Sequence, residues 1–389
     1  MYMKRIVRTA AILGGLLFLA AVSASCKNRN NGGQSAQVSD TTDVLAFEGA
    51  DTLLHFDPVL TDVARLMAGL PVDAGSPESG KMETDEWKAH KAALDEMWAK
   101  SVVTLEKVAV IRDRDLTDIR DTARTVLYSF SGPDLPFMMT FYPSSDTYYM
   151  MGLERVGTVP TPRSASKKHY EKIEYALRYL LDKSYFVTSQ MSSDLNNAEV
   201  DGTIPILMVL LARMDYVIES VNYQSLTAAG QWQDSERRTN YVRIRFFNRE
   251  ENRMKTLYYL SSNIQDSKFN TGVEAMLKQL DSRTTAAFVK SCSYCLHYGS
   301  FSKIRNIILD HSFSVIQDDT GIPYRTLKRN GWAIDLYGGY THPMDYFPEG
   351  VNQKDMDKVY KDGKGIKPLD FRFGYNRPSS LIVARKERN

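Results

Sequence analysis

The chain has 389 residues, with 49 lysines and arginines against 47 aspartates and glutamates, a formal net charge of +2. A balance this close to neutral excludes the broad basic footprint of a nucleic-acid binder, and no long block of one charge sign occurs. Aromatic residues make up 11% of the chain, 22 of them tyrosines, enough to fill a large core and to furnish a binding surface.

Residues 1–25 read as a bacterial lipoprotein signal peptide. Lys4, Arg5 and Arg8 form a basic start, and an uncharged apolar run follows from Thr9 to Val22. As a helix that run is about 21 Å long, short of a hydrocarbon core of about 30 Å. Val22-Ser23-Ala24-Ser25-Cys26 resembles a lipobox, so Cys26 is expected to be acylated, with palmitate among the chains, and to begin the mature protein. The expected address is the cell envelope, lipid-anchored and periplasmic or surface-facing. Ordinary cleavage after Ala24 or Ser25 would instead leave a soluble periplasmic protein. Without Lys4, Arg5 and Arg8, 46 basic residues face 47 acidic ones, a net charge of −1. Residues 26–43 are polar and small, the composition of a flexible tether, and residues 44–389 are expected to be globular, with sublobes of about 44–235 and 236–389.

A first amphipathic helix is expected from Asp85 to Leu105, capped by Thr84, with Trp87, Leu94, Trp98, Val102 and Leu105 on its core-facing stripe. Strands follow at Arg124–Phe130, Phe137–Tyr142 and Thr147–Leu153, separated by Ser-Gly-Pro-Asp and Pro-Ser-Ser-Asp turns. A second helix covers Ser166–Leu181, with more helix to Ser193 and again from Thr203 to Met214. The longest apolar run of the mature chain, Ile204–Met214, contains Pro205 and Arg213 and reads as a buried helix rather than a membrane span. Tyr241–Phe247 and Lys255–Leu260 form the clearest hairpin, with Val242, Ile244 and Phe246 inward and Arg243 and Arg245 on the wet face. The last third reads as helix Thr271–Leu280, strand Ala286–Lys290, helix Ser302–Leu309, strand Ser314–Gln317, strand Trp332–Tyr337, helix Gln353–Tyr360 and strand Ser380–Ala384. Helices mixed with antiparallel hairpins make the expected fold class α+β.

Two segments echo each other, one starting at Phe130 and one at Val315. Each reads strand, Gly-containing turn, Pro plus aromatic (Pro136-Phe137, Pro323-Tyr324), strand, turn, strand and Gly, which would suit two related lobes. The same segments carry FSGPD-LPF…FYP, then Y-x-x-x-GLE-x-VG, and later QDD-TGIPYR-x-L before W…LYG-x-Y-x-x-P. In these motifs, spread in pieces from Leu127 to Phe347, the chain resembles an uncharacterised family of secreted or lipid-anchored bacterial proteins. The resemblance implies an exported globular protein and supplies no catalytic residues.

The densest polar and aromatic stretch runs from Asp310 to Asp345. In it Asp318 and Asp319 end a strand, with Tyr324 and Arg325 close behind. One of these carboxylates facing Asp134, which holds the equivalent turn of the first segment, would suit glycoside hydrolysis or a hard-cation site. The alternative is that the aspartates cap their own turns through hydrogen bonds to backbone. Cys292 and Cys295 form CSYC, with His297 two residues on. Half of a zinc site or a redox pair is one reading, a disulfide or two buried thiols the other. No Gly-x-Ser-x-Gly, His-Glu-x-x-His or Gly-rich phosphate loop is present, so no cofactor is called for. Two functions remain in view. The first is non-catalytic binding of a ligand, glycan or envelope-protein partner by a lipoprotein. The second is a glycan hydrolase using Asp134 with Asp318 or Asp319.

Overall fold

The computed structural model describes residues 44–45, 54–183, 195, 199–249, 251 and 253–386. The expected signal peptide, Cys26, the tether and the helix continuing to Ser193 lie outside the described residues. Two short strands, β1 (Val44–Leu45) and β2 (Leu54–His55), pair antiparallel. Helix α1 (Pro58–Met67), absent from the sequence reading, starts at Asp57, whose carboxylate accepts the Leu60 N–H at 3.2 Å, with Pro58 in its first turn. Helix α2 (Asp85–Asp115) begins where Thr84 predicts, the hydroxyl accepting from Trp87 N–H at 3.3 Å. It runs ten residues past the expected end because Val108 and Ile111 extend the buried stripe of Trp87, Leu94 and Leu105. Trp87 faces the core and donates its indole N–H to the Leu66 carbonyl at 3.2 Å. Helix α3 (Thr117–Thr122) then leads into the sheet.

Strand β3 (Thr125–Tyr128) is followed by helix α4 (Leu135–Phe141) and strand β4 (Thr147–Gly152). The strand expected at Phe137–Tyr142 is therefore a helix. Every residue of α4 is buried, so its apolar run has no periodicity to separate helix from strand, and two constraints decide it. Strands β3 and β4 are parallel and need a crossover between them, and Pro136 in the first helical turn removes a donor that a strand would need. Helices α5 (Lys167–Lys183) and α6 (Ile204–Arg213) follow. Next come strands β5 (Val217–Leu226), unforeseen from sequence, and β6 (Trp232–Asp234), then the expected hairpin of β7 (Tyr241–Asn248) and β8 (Arg253–Ser261). Val242, Ile244 and Phe246 are buried as expected. Arg243 and Arg245 are partly covered, at 3.1 Å from Asp234 and 3.2 Å from Glu219, which occupies them as ion-pair partners across the strands. Helix α7 (Thr271–Leu277), strand β9 (Thr285–Val289), helix α8 (Ser302–His311) and strand β10 (Ser314–Gln317) come next. Helix α9 (Tyr324–Arg329), strand β11 (Trp332–Gly338), helix α10 (Lys354–Asp362) and strand β12 (Ser380–Lys386) complete the chain.

Ten of these strands form one mixed sheet, in the order β11-β12-β10-β9-β3-β4-β8-β7-β5-β6. The class is α+β. Its central five strands, β10, β9, β3, β4 and β8, are all parallel, with antiparallel strands on both flanks. Every residue of β9 and β10 is buried, as strands covered on both faces must be. Val126, Tyr128, Phe288 and Ile316 face one apolar core with α1, α2, α4, α5 and α6. Leu127, Ala287, Val289 and Val315 face the other, with α7, α8, α9 and α10. The described residues from 44 onward belong to one compact unit, and β5 and β7 pair within the sheet across position 235.

The internal echo is one of connection. β3–α4–β4 and β10–α9–β11 are both strand–turn–helix–strand units, and in each the Pro-aromatic pair opens a helix, not the strand expected. In the first the two strands are neighbours. In the second β12 lies between them, and α4 and α9 cover opposite faces of the sheet.

Candidate cleft at the strand crossover point

All five central strands end at the same edge of the sheet. There the chain leaves β3 for β4 by way of α4 on one face, and leaves β9 for β10 by way of α8 on the other. β3 and β9 are adjacent, so their connections diverge and leave a crevice beyond their carboxyl ends, the usual ligand position in open sheets with parallel strands. A cleft of about 590 Å³ occupies this place. It is lined by residues that follow β3 (Ser129, Phe130, Gly132, Asp134), β4 (Leu153, Glu154), β8 (Ser262 to Gln265) and β9 (Lys290 to Ser293), and by the loops carrying Phe347 and Tyr375.

The floor is built by the first turn of the FSGPD segment. Asp134 N–H bonds the Ser131 carbonyl at 3.1 Å and Ser131 N–H bonds Met151 at 2.7 Å, tying the turn to β4; Gly132 supplies the positive φ of 44° that it needs. This brings Asp134 under the end of β3. Its Oδ2 accepts from the Tyr128 hydroxyl at 2.9 Å and from Lys290 Nζ, the residue directly after β9. Lys290 and Asp134 are 1% and 2% exposed, and the ammonium also stands 4.0 Å above the centre of the Phe137 ring. Burial pushes the Lys290 pKa down, against the upward pull of Asp134 beside it, and burial raises the Tyr128 hydroxyl well above its usual range. Among the described residues, Asp134 Oδ1, Ser129 Oγ and Ser291 Oγ are buried without a hydrogen-bond partner, and all three residues line the cleft. Such groups are costly to leave unpaired, and ligand sites are where they are tolerated.

Beyond these groups the cleft is lined largely by apolar side chains, with Ser262, Asn263 and Gln265 as further polar members. Phe130 and Phe301 pack at 6.1 Å between ring centres, and Phe347 lies against Tyr294 at 4.9 Å. Leu153 and Tyr346 stand at the mouth, 58% and 89% exposed.

Of the three expected carboxylates, only Asp134 lines this cleft. Asp318 and Asp319 are fully buried and work as a hub for the surrounding loops. Asp318 accepts Thr320 N–H at 3.1 Å and its hydroxyl at 2.5 Å on one oxygen, and Ser291 N–H at 3.0 Å on the other. Asp319 accepts from Tyr294 and from Asn376 on one oxygen and from Ser380 at 3.2 Å on the other. Asp318 therefore caps its own turn, and the pair also ties the β9 exit loop to the segment before β12. That loop needs tying, because Ser291, Ser293 and Tyr294 all take positive φ near 55° (54°, 53° and 57°), a conformation unfavourable for residues with a Cβ. Burial raises the pKa of both carboxylates, and for Asp318 the neighbouring Asp319 adds to the effect. The expected pairing of Asp134 with Asp318 or Asp319 in an open cleft is thus not formed.

Tyr324 and Arg325 open α9, away from the cleft. Tyr324 N–H bonds the Gln353 side chain at 2.7 Å, and Arg325 is an exposed side chain 3.9 Å from Asp355. Cys292 and Cys295 do line the cleft, but as free thiols and not the disulfide that was one expectation. Cys292 is buried and its Sγ donates to the Thr320 carbonyl at 2.8 Å; burial pushes the Cys295 thiol up to about 11 and His297 down to about 4. Among the described residues no cluster of three His, Cys, Asp or Glu side chains has the geometry to hold a metal ion.

Sequence reasoning missed Lys290, Ser129 and Tyr128. The available signal was a lysine closing the otherwise apolar strand Thr285–Val289, because a cation at the end of a buried strand needs a nearby anion. No protein-family description matches this chain, and no curated protein matches it either.

Proposed function

We propose that this protein is a non-catalytic lipoprotein of the cell envelope, anchored through Cys26, that holds a small ligand in the cleft between the β3 and β9 exits. The observation that supports this reading best is the set of unpartnered buried oxygens, Asp134 Oδ1 and Ser129 Oγ above all, in the floor of a cleft of about 590 Å³. That volume is in the usual range for small-molecule sites, as is the combination of apolar walls with a few convergent polar groups. A membrane-held binding protein needs no reactive group, and the thiols here, with pKa values raised by burial, are poor nucleophiles. The glycan-hydrolase reading has less support, since Asp318 and Asp319 are occupied by backbone and side-chain donors outside the cleft.

The test is to purify the protein from its own envelope and look for a bound small molecule by native mass spectrometry, with Ser262→Trp as the comparison. Ser262 lines the cleft and no hydrogen bond of its side chain would be lost. A mass carried by the unaltered protein and missing from the folded variant supports the reading. Identical spectra, together with identical thermal shifts against a metabolite library, overturn it.

A further inference from the structure

Resting on this ligand-binding reading, we propose that the cleft selects an uncharged, mainly apolar molecule bearing a hydroxyl group, whose hydrogen is donated to Asp134 Oδ1. The position of Asp134 is the first reason. Its Oδ2 is committed to Tyr128 and Lys290, whereas Oδ1 is buried in the cleft floor without a donor. A carboxylate oxygen removed from water calls for an N–H or O–H group. Ser129 Oγ, also unpartnered and on a residue only 1% exposed, lines the same cleft and is a second polar group open to a ligand hydroxyl.

Charge is the second reason. The carboxylates and amines lining the cleft are Asp134, Glu154 and Lys290, a formal excess of one negative charge, and Lys290 is already paired. A ligand carboxylate or phosphate would lose its hydration without gaining a free cation, which is costly in a site with low dielectric. A cationic ligand would compete with Lys290 for Asp134. Shape is the third. Phe130, Ile264, Phe301, Met344 and Phe347 offer rings and alkyl groups between the floor and the mouth, so the body that follows the hydroxyl is apolar.

Titration calorimetry of the purified full chain with three probes of one shape tests this. 4-Butylphenol carries the donor, 4-butylanisole replaces it with a methyl ether, and 4-butylbenzoate is an anion. The phenol is expected to bind about tenfold or more tighter than the anisole, the usual range for a hydrogen bond to a charged acceptor, and the benzoate not to bind. In Asp134→Asn the advantage of the phenol should fall to about threefold or less. If that variant does not fold, the phenol–anisole comparison on the unaltered protein decides alone. Equal affinities for phenol and anisole, benzoate binding as tightly as phenol, or binding of none of the three overturns the inference. The broader ligand-binding role is judged separately by the Ser262→Trp comparison, so the two can fail independently.

Discussion

Lys290→Met, Asp134→Leu and their combination form the sharpest test of how the cleft floor is built. Both residues are almost wholly buried, and among the described residues each is the other's only ion-pair partner. Among the described residues, removing the ammonium leaves the Asp134 carboxylate with Tyr128 as its side-chain donor, and removing the carboxylate leaves the ammonium over the Phe137 ring without an ion-pair partner in contact. Breaking a buried pair in this way costs about 3–5 kcal/mol, whereas replacing both partners with apolar groups of similar volume is often near neutral. An unfolding entropy of about 2.1 cal/mol/K per residue gives roughly 1.4 °C of melting temperature per kcal/mol for a unit of this size. Each single variant should therefore melt about 4–7 °C lower, and the double variant should recover most of that loss. Thermal and urea denaturation followed by circular dichroism would measure the cycle. A Lys290→Met loss below about 1 kcal/mol, or a double variant as unstable as the two singles summed, would refute a buried and mutually dependent pair. The recovered double variant should still bind no phenol more tightly than anisole, because it has lost the Asp134 acceptor.

Three further outcomes are expected. Replacing Cys26 with Ala should abolish palmitate labelling and move the protein from the membrane to the soluble fraction; an unlabelled parent protein would refute the anchor. The raised pKa of Asp318 and Asp319 in the folded state has a definite sign: their contribution to stability is fully present below the unfolded carboxylate pKa and is lost as pH rises through the folded value. Asp318→Asn, which removes that titration, should thus cost most near pH 4 and progressively less toward pH 8, by urea midpoints; a cost that grows with pH would contradict burial as the dominant cause. Gly374 has φ of +77°, and a Cβ there would strike the Asp318 carboxylate, so Gly374→Ala should cost about 2 kcal/mol or more in the same assay; a neutral result would mean the hub tolerates displacement.

The sequence by itself determined much of the element list. Thr84 as a cap, the stripe of α2, the alternation of β7, and the boundaries of β10 are local properties, written in hydrogen-bonding side chains and in period. It also singled out the FSGPD and QDD segments, which both end central strands at the cleft edge. Where a segment is buried on every side, local pattern is silent. The strand expected at Phe137–Tyr142 falls in α4, where every residue from Leu135 to Phe141 is buried and no polar face marks a helix; the parallel pairing of β3 and β4 is what requires one there. The site depended on tertiary structure even more. Lys290 meets Asp134 across 156 positions of sequence because β9 inserts beside β3, a juxtaposition set by strand order and not by spacing. The same order sends Asp318 and Asp319 beneath the exit loop of β9, where donors from Ser291, Tyr294 and Asn376 turn two conspicuous acids into fasteners. Residue type announces what chemistry a side chain can do; which donors and acceptors reach it is decided by the packing of distant strands.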